Sequence, residues 1–166
     1  MFDFKPEDGT GQPELYRQLR EAADALTAGE PDPVANMANV ASLLWEFVPD
    51  LNWAGFYRVG PAKDGGADEL VLGPFVGRPA CIRIPVGTGV CGAAAKTGET
   101  QLVADVHAFP GHIACDASSQ SELVVPVLRQ GEVIAVVDLD SPNAGRFDAG
   151  DATGIEDLAA LLSDRI

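Results

Sequence analysis

The chain has 166 residues, a length that suits one domain and would cramp two. Roughly 70% of the unfolded chain's surface can be buried at that size, so no disulfide staples are required. Its 11 basic and 25 acidic residues leave a net charge of −14, a field that repels nucleic-acid phosphates and anionic membranes. No apolar run approaches the ~18 residues of a membrane span, and the opening residues lack the layout of a secretory signal, so a soluble, cytoplasmic protein is expected.

Two helices are predicted first. Residues 13–28 carry Leu15, Leu19, Ala22, Ala23 and Leu26 at helical spacing, and residues 33–48 carry Val34, Met37, Ala38, Ala41, Leu44, Trp45 and Val48. Asp32 is a suitable N-cap for the second, with Pro33 at the first helical position. The period then changes to that of strands. Residues 52–59 place Trp53, Gly55, Tyr57 and Val59 on one side; a polar loop over 61–67 leads to strands over 69–76 and 80–84. Gly87-Thr88-Gly89 opens a small-residue helix over 90–96 that Gly98 stops, and residues 101–104 suit another short strand. Residues 105–120 show no period, and an aperiodic stretch of that length in a compact domain is more often functional than idle. Strands over 122–128 and 132–140 are joined by a turn at Gln130-Gly131. A helix over 151–165 follows, with Ile155, Leu158, Ala159 and Leu162 on one face and Asp148 or Asp151 as its cap. This order implies an α+β fold, an antiparallel sheet flanked by helices.

The last strand carries an unusual face. Ile134, Val136, Asp138 and Asp140 alternate along it, so two carboxylates continue a face that begins apolar. With a three-residue turn Glu122 falls opposite Asp138 or Asp140; with a tight two-residue turn it falls opposite Leu139. The first register makes a cluster of three carboxylates at the edge of an apolar pocket, where repulsion and burial would hold a proton near neutral pH. The alternative is a frayed strand end whose acids are simply solvated. Trp53 and Tyr57 are either core or the wall of a small-ligand pocket.

Three cysteines, Cys81, Cys91 and Cys115, cannot all pair within one chain, and their spacing matches no zinc knuckle. They are either inert buried thiols or redox partners. His107, His112 and Cys115 fall close together in the aperiodic stretch, but no fourth ligand is indicated, so no metal is expected.

Several segments together resemble the free methionine-(R)-sulfoxide reductases, which are GAF-domain enzymes. These are Asn52-Trp-Ala-Gly-Phe-Tyr57, Leu72-Gly-Pro-Phe75, Gly77-Arg-Pro-Ala-Cys81, Gly87-Thr-Gly-Val-Cys91-Gly, the 105–117 stretch around Cys115, Ser121-Glu-Leu-Val-Val-Pro-Val and Val137-Asp-Leu-Asp140-Ser. The resemblance implies a GAF domain over residues 13–166 after an N-terminal extension of residues 1–12. It makes Cys115 the catalytic cysteine, and Cys91 and Cys81 the positions from which a resolving thiol is drawn. It makes Trp53 and Tyr57 the substrate-pocket aromatics and Glu122, Asp138 and Asp140 the pocket acids, with Glu122 or Asp140 as proton donor. The reaction so implied reduces free L-methionine-(R)-S-oxide to L-methionine through a cysteine sulfenic acid and an intramolecular disulfide. Thioredoxin would recycle the disulfide, no metal or organic cofactor is needed, and a homodimer is open to it. The rivals are a ligand-sensing GAF domain, which would normally need an output module that this length leaves no room for, and a thiol switch, for which the three acids would be irrelevant.

Overall fold

A computed structural model describes residues 4–111 and 117–166. Helices α1 (Gln12–Thr27) and α2 (Pro33–Phe47) lead the chain. The Asp32 carboxylate accepts the backbone N–H groups of Val34 and Ala35, which fixes the start of α2. The buried stripe of α2 runs through Met37, Val40, Ala41, Leu44 and Phe47, while Val34 is 50% and Trp45 41% exposed. Met37, Ala41, Leu44 and Val48 of the expected face are buried as expected, whereas Val34, Ala38 and Trp45 need correction. The sequence offers two overlapping apolar stripes, one through positions 34, 38 and 45 and one through 37, 40, 44 and 47, and only one can meet the sheet.

Among the described residues six strands form one antiparallel sheet, β1 (Trp53–Gly60), β2 (Glu69–Gly77), β3 (Arg83–Pro85), β4 (Gln101–Val103), β5 (Ser121–Arg129) and β6 (Glu132–Ser141), in the order β3-β2-β1-β6-β5-β4. Helix α3 (Gly89–Thr97) lies between β3 and β4 in the chain and ends at Gly98, whose φ of +68° suits glycine. A 3₁₀ turn covers Val106–Ala108. Helix α4 (Ala149–Leu162) starts two residues before the sequence suggests: Asp148 is the N-cap, and Asp151 completes a capping box from inside the first turn. The strand expected over 80–84 is displaced to Arg83–Pro85.

The β5–β6 hairpin decides the site. Arg129 pairs with Glu132, so the turn holds only Gln130 and Gly131, both at positive φ (+53° and +84°). That turn alone would set Glu122 against Leu139. A bulge intervenes: Leu128 pairs with Val133 and Val127 with Ala135, which leaves Ile134 as the extra residue. Beyond it Glu122 faces Asp140 and Val124 faces Asp138. The expected apolar-to-acid face holds from Val136 onward, whereas Ile134 packs with the opposite face of the sheet.

That opposite face is covered by α2 and α4, with α1 packed against both helices, and Leu19, Met37, Leu44, Phe56, Leu139 and Leu158 are fully buried in the shared core. The other face carries a smaller cluster, Trp53, Tyr57, Leu70, Ile84, Val90, Cys91, Val124 and Val136, against which α3 packs. The acids sit on this second face. None of the described helices is long and apolar enough to cross a membrane.

Candidate active site

Strand β1 supplies the aromatic wall. Trp53 pairs across the ladder with Asp140, Gly55 with Asp138 and Tyr57 with Val136, so the rings and acids share one face. Trp53 stacks on Tyr57 (centroids 5.9 Å apart) and on Phe75 of β2 (5.2 Å). Gly55 is needed for that approach: a Cβ there would lie 2.4 Å from the Phe75 Cβ and 2.8 Å from the Pro74 carbonyl oxygen. The polar ends of both rings are committed elsewhere. Trp53 Nε1 donates to the Arg78 carbonyl (3.2 Å) and Tyr57 Oη to the Cys81 carbonyl (3.0 Å), which tethers residues 78–81 outside the ladder and explains the short β3. What the rings present to a ligand is apolar surface.

Glu122 and Asp138 are 6% and 5% exposed, and Cys91, in the first turn of α3, is 4% exposed. The Cys91 thiol points at Glu122 Oε1, 3.8 Å away, and an oxygen of Asp138 lies within 4.8 Å of both donors. Asp138 Oδ1 is buried with no hydrogen-bond partner. Burial pushes the Glu122 and Asp138 carboxyls well above the ordinary range; the charges of Asp138 and Asp140 add to this at Glu122, and that of Asp140 at Asp138. Burial and the same acids hold the Cys91 thiol protonated, and burial does likewise for the Tyr57 phenol. A helix N-terminus would favour a thiolate at Cys91, but desolvation beside three carboxyls outweighs it. The arrangement can keep a proton on a carboxyl near neutral pH, which three solvated acids could not.

The structure thus brings together Trp53, Tyr57, Glu122, Asp138, Asp140 and Cys91. Cys81 adjoins them through its carbonyl and is disulfide-bonded, whereas Cys91 is a free thiol. Cys115 and His112 lie outside the described residues. Two contributors escaped the sequence reading. Phe75 joins the wall through a strand pairing that only the fold reveals, although it stands in a segment that carries the resemblance. Asn52 Nδ2 donates to Ser118 Oγ and Ser119 Oγ (3.0 Å each), which pins the end of the aperiodic stretch to the start of β1; no local pattern signals that contact.

A GAF-domain family model matches residues 36–166. The free methionine-R-sulfoxide reductase of Escherichia coli (strain K12) is 48% identical over 90% of this chain and 87% of its own length. The enzyme of the same name from Saccharomyces cerevisiae is 41% identical over 90% and 84%. Among solved structures, the free methionine-R-sulfoxide reductase from Neisseria meningitidis in complex with its substrate is similar at a TM-score of 0.89 and 42% identity, covering 97% of this chain and 93% of that one. The chain belongs to the GAF-domain family, with the free methionine-R-sulfoxide reductases among its relatives.

Proposed function

We propose that this chain reduces free L-methionine-(R)-S-oxide to L-methionine, with its own thiols as the immediate reductant. The observation that carries the reading is the buried, proton-retaining carboxyl pair of Glu122 and Asp138 beside a stacked aromatic wall. A sulfoxide oxygen must gain a proton before its bond to sulfur breaks, and such a pair holds one in reserve. Relatives over 40% identical that bear the reductase name support the substrate.

In this reading the Cys115 thiolate attacks the sulfoxide sulfur while Glu122 or Asp140 protonates the oxygen. Methionine leaves reduced by two electrons, and Cys115 retains the oxygen as a sulfenic acid. A second thiol condenses with the sulfenic acid, a sulfur–sulfur bond forms and water departs. Cys81 is the better candidate for that thiol: it already carries a disulfide, while Cys91 stays reduced and protonated among the acids. An external dithiol of the thioredoxin type then returns the disulfide to two thiols, which suits a reducing cytoplasm. No metal or organic cofactor enters these steps. Asp138 and whichever of Glu122 and Asp140 is not the proton donor pair the substrate ammonium, while Trp53 and Tyr57 pack its methylsulfinyl end with ring faces. A pocket built around a free ammonium rejects the peptide-linked residue, whose nitrogen carries no charge.

The test is methionine formation from racemic free methionine sulfoxide with a thioredoxin system. Loss of the R epimer alone, with no activity on a sulfoxide inside a peptide and no single turnover by Cys115→Ser, is expected. No turnover with all thiols reduced would favour a ligand-sensing domain instead.

A further inference from the structure

Cys91 is left over by the reaction just described, and it stands buried with its thiol directed at the Glu122 carboxyl. Its Sγ and one oxygen each of Glu122 and Asp138 lie within 4.8 Å of one another, with Cys91 Sγ and Glu122 Oε1 3.8 Å apart. Asp138 Oδ1, in a side chain 5% exposed, has no hydrogen-bond partner. A substrate ammonium can satisfy carboxylates but gains little from a thiol, a weak acceptor. A thiophilic dication satisfies all three donors at once. Zinc–sulfur and zinc–oxygen bonds of about 2.3 and 2.0 Å put tetrahedral donor atoms roughly 3.3–3.5 Å apart, so this trio needs only a modest inward turn of its side chains.

We infer that Cys91, Glu122 and Asp138 form an inhibitory site for a thiophilic divalent cation of the zinc type, with one thiolate and two carboxylates as ligands and a fourth position left to water. Binding breaks the Cys91 S–H bond and any carboxyl O–H bond, the protons pass to solvent, and one metal–sulfur and two metal–oxygen bonds form without electron transfer. The ion's two positive charges against three ligand anions leave a single negative charge, and Asp140 adds to the attraction. The cation would occupy the carboxyl proton's place and the ammonium's. The site rests on the geometry alone; only its inhibitory effect rests on the reductase reading.

Cobalt(II) is the probe, titrated without oxygen or reductant into the full chain so that the Cys81 disulfide is kept. A thiolate-to-cobalt charge-transfer absorption that saturates at one ion per chain and is bleached by zinc is expected. Cys91→Ser should lose that absorption. Asp138→Asn keeps the thiol and should weaken binding about 10- to 100-fold, the range that loss of even an outer-shell partner produces. Free methionine sulfoxide should raise the cobalt concentration required. Absence of a saturating absorption in the parent chain, its persistence in Cys91→Ser, or unchanged affinity in Asp138→Asn would overturn the assignment. These readouts do not depend on turnover, so an inactive protein that binds cobalt in this way would refute the reductase reading and leave the site standing.

Discussion

Asp138→Asn should make the protein more stable as well as less active, with a gain that grows as pH rises. In the unfolded chain Asp and Glu titrate near 3.9 and 4.3. In the folded state Glu122 and Asp138 keep their protons to higher pH, because burial and mutual repulsion penalise the charged forms. The folded protein therefore binds more protons than the unfolded one, and stability from this pair is lost as pH rises from about 4 through the folded values. Each such proton is worth about 1.4 kcal/mol per pH unit. The substitution removes one such proton, so the variant's advantage grows by about 1.4 kcal/mol per pH unit, and by more where loss of the Asp138 charge lets Glu122 ionise earlier. In a domain of this length that corresponds to roughly 3–6 °C of Tm per unit. The protons belong to the pair rather than to either residue, so the double variant with Glu122→Gln should show the larger total gain. Urea or thermal unfolding of both proteins at intervals from about pH 4 to 8, without reductant, measures the difference. A difference independent of pH would show that Asp138 ionises normally in the folded state, and Glu122 alone would have to hold the reserve proton.

Two further predictions concern the aromatic wall. Tyr57→Phe keeps the ring but removes its bond to the Cys81 carbonyl; a stability loss of about 0.5–1.5 kcal/mol and slower disappearance of the Cys81 thiol after one turnover are expected, and thiol loss at the parental rate would mean that the bond does not position Cys81. Gly55→Ala forces a methyl group against the Phe75 Cβ and Cα and the Pro74 carbonyl. None of these is the end of a flexible side chain, so a loss of about 1–3 kcal/mol in chemical denaturation is expected, and a neutral result would show that β1 and β2 part freely there.

Local chemistry made much of the fold legible. Asp32-Pro33 marked the start of α2, Gly98 the end of α3, and the alternation of Trp53, Tyr57 and Val59 the site-facing side of β1. Where local signals competed, the sequence misled: α2 offers two apolar stripes, and nothing within the helix says which one meets the sheet. The site acids were legible as an anomaly, since carboxyls continuing an apolar strand face conflict with burial and such conflicts gather at functional sites. The tether from Tyr57 to Cys81 and the clamp from Asn52 to Ser118 and Ser119 span 24 residues or more. No periodicity reports contacts of that range.

The hairpin register shows how the acid cluster is enforced. Gln130-Gly131 favours a two-residue turn, because both positions lie at positive φ and glycine accepts the second without strain. Continued without interruption, that turn would set Glu122 opposite Leu139 on one face, and Leu123 opposite Asp138 on the other. Each face would then mix a buried carboxyl with a buried leucine. One extra residue in β6 removes the conflict. With Ile134 bulged, Leu123 meets Leu139 in the core beneath α4, and Glu122 meets Asp140 on the face shared with Trp53. Turn chemistry sets one register and burial the other, and the bulge lets β5 and β6 satisfy both. The carboxyl cluster is therefore not a frayed strand end. It is specified by the same packing that fills the helix-side core with leucine, so the repulsion among its acids is carried by the stability of the whole sheet.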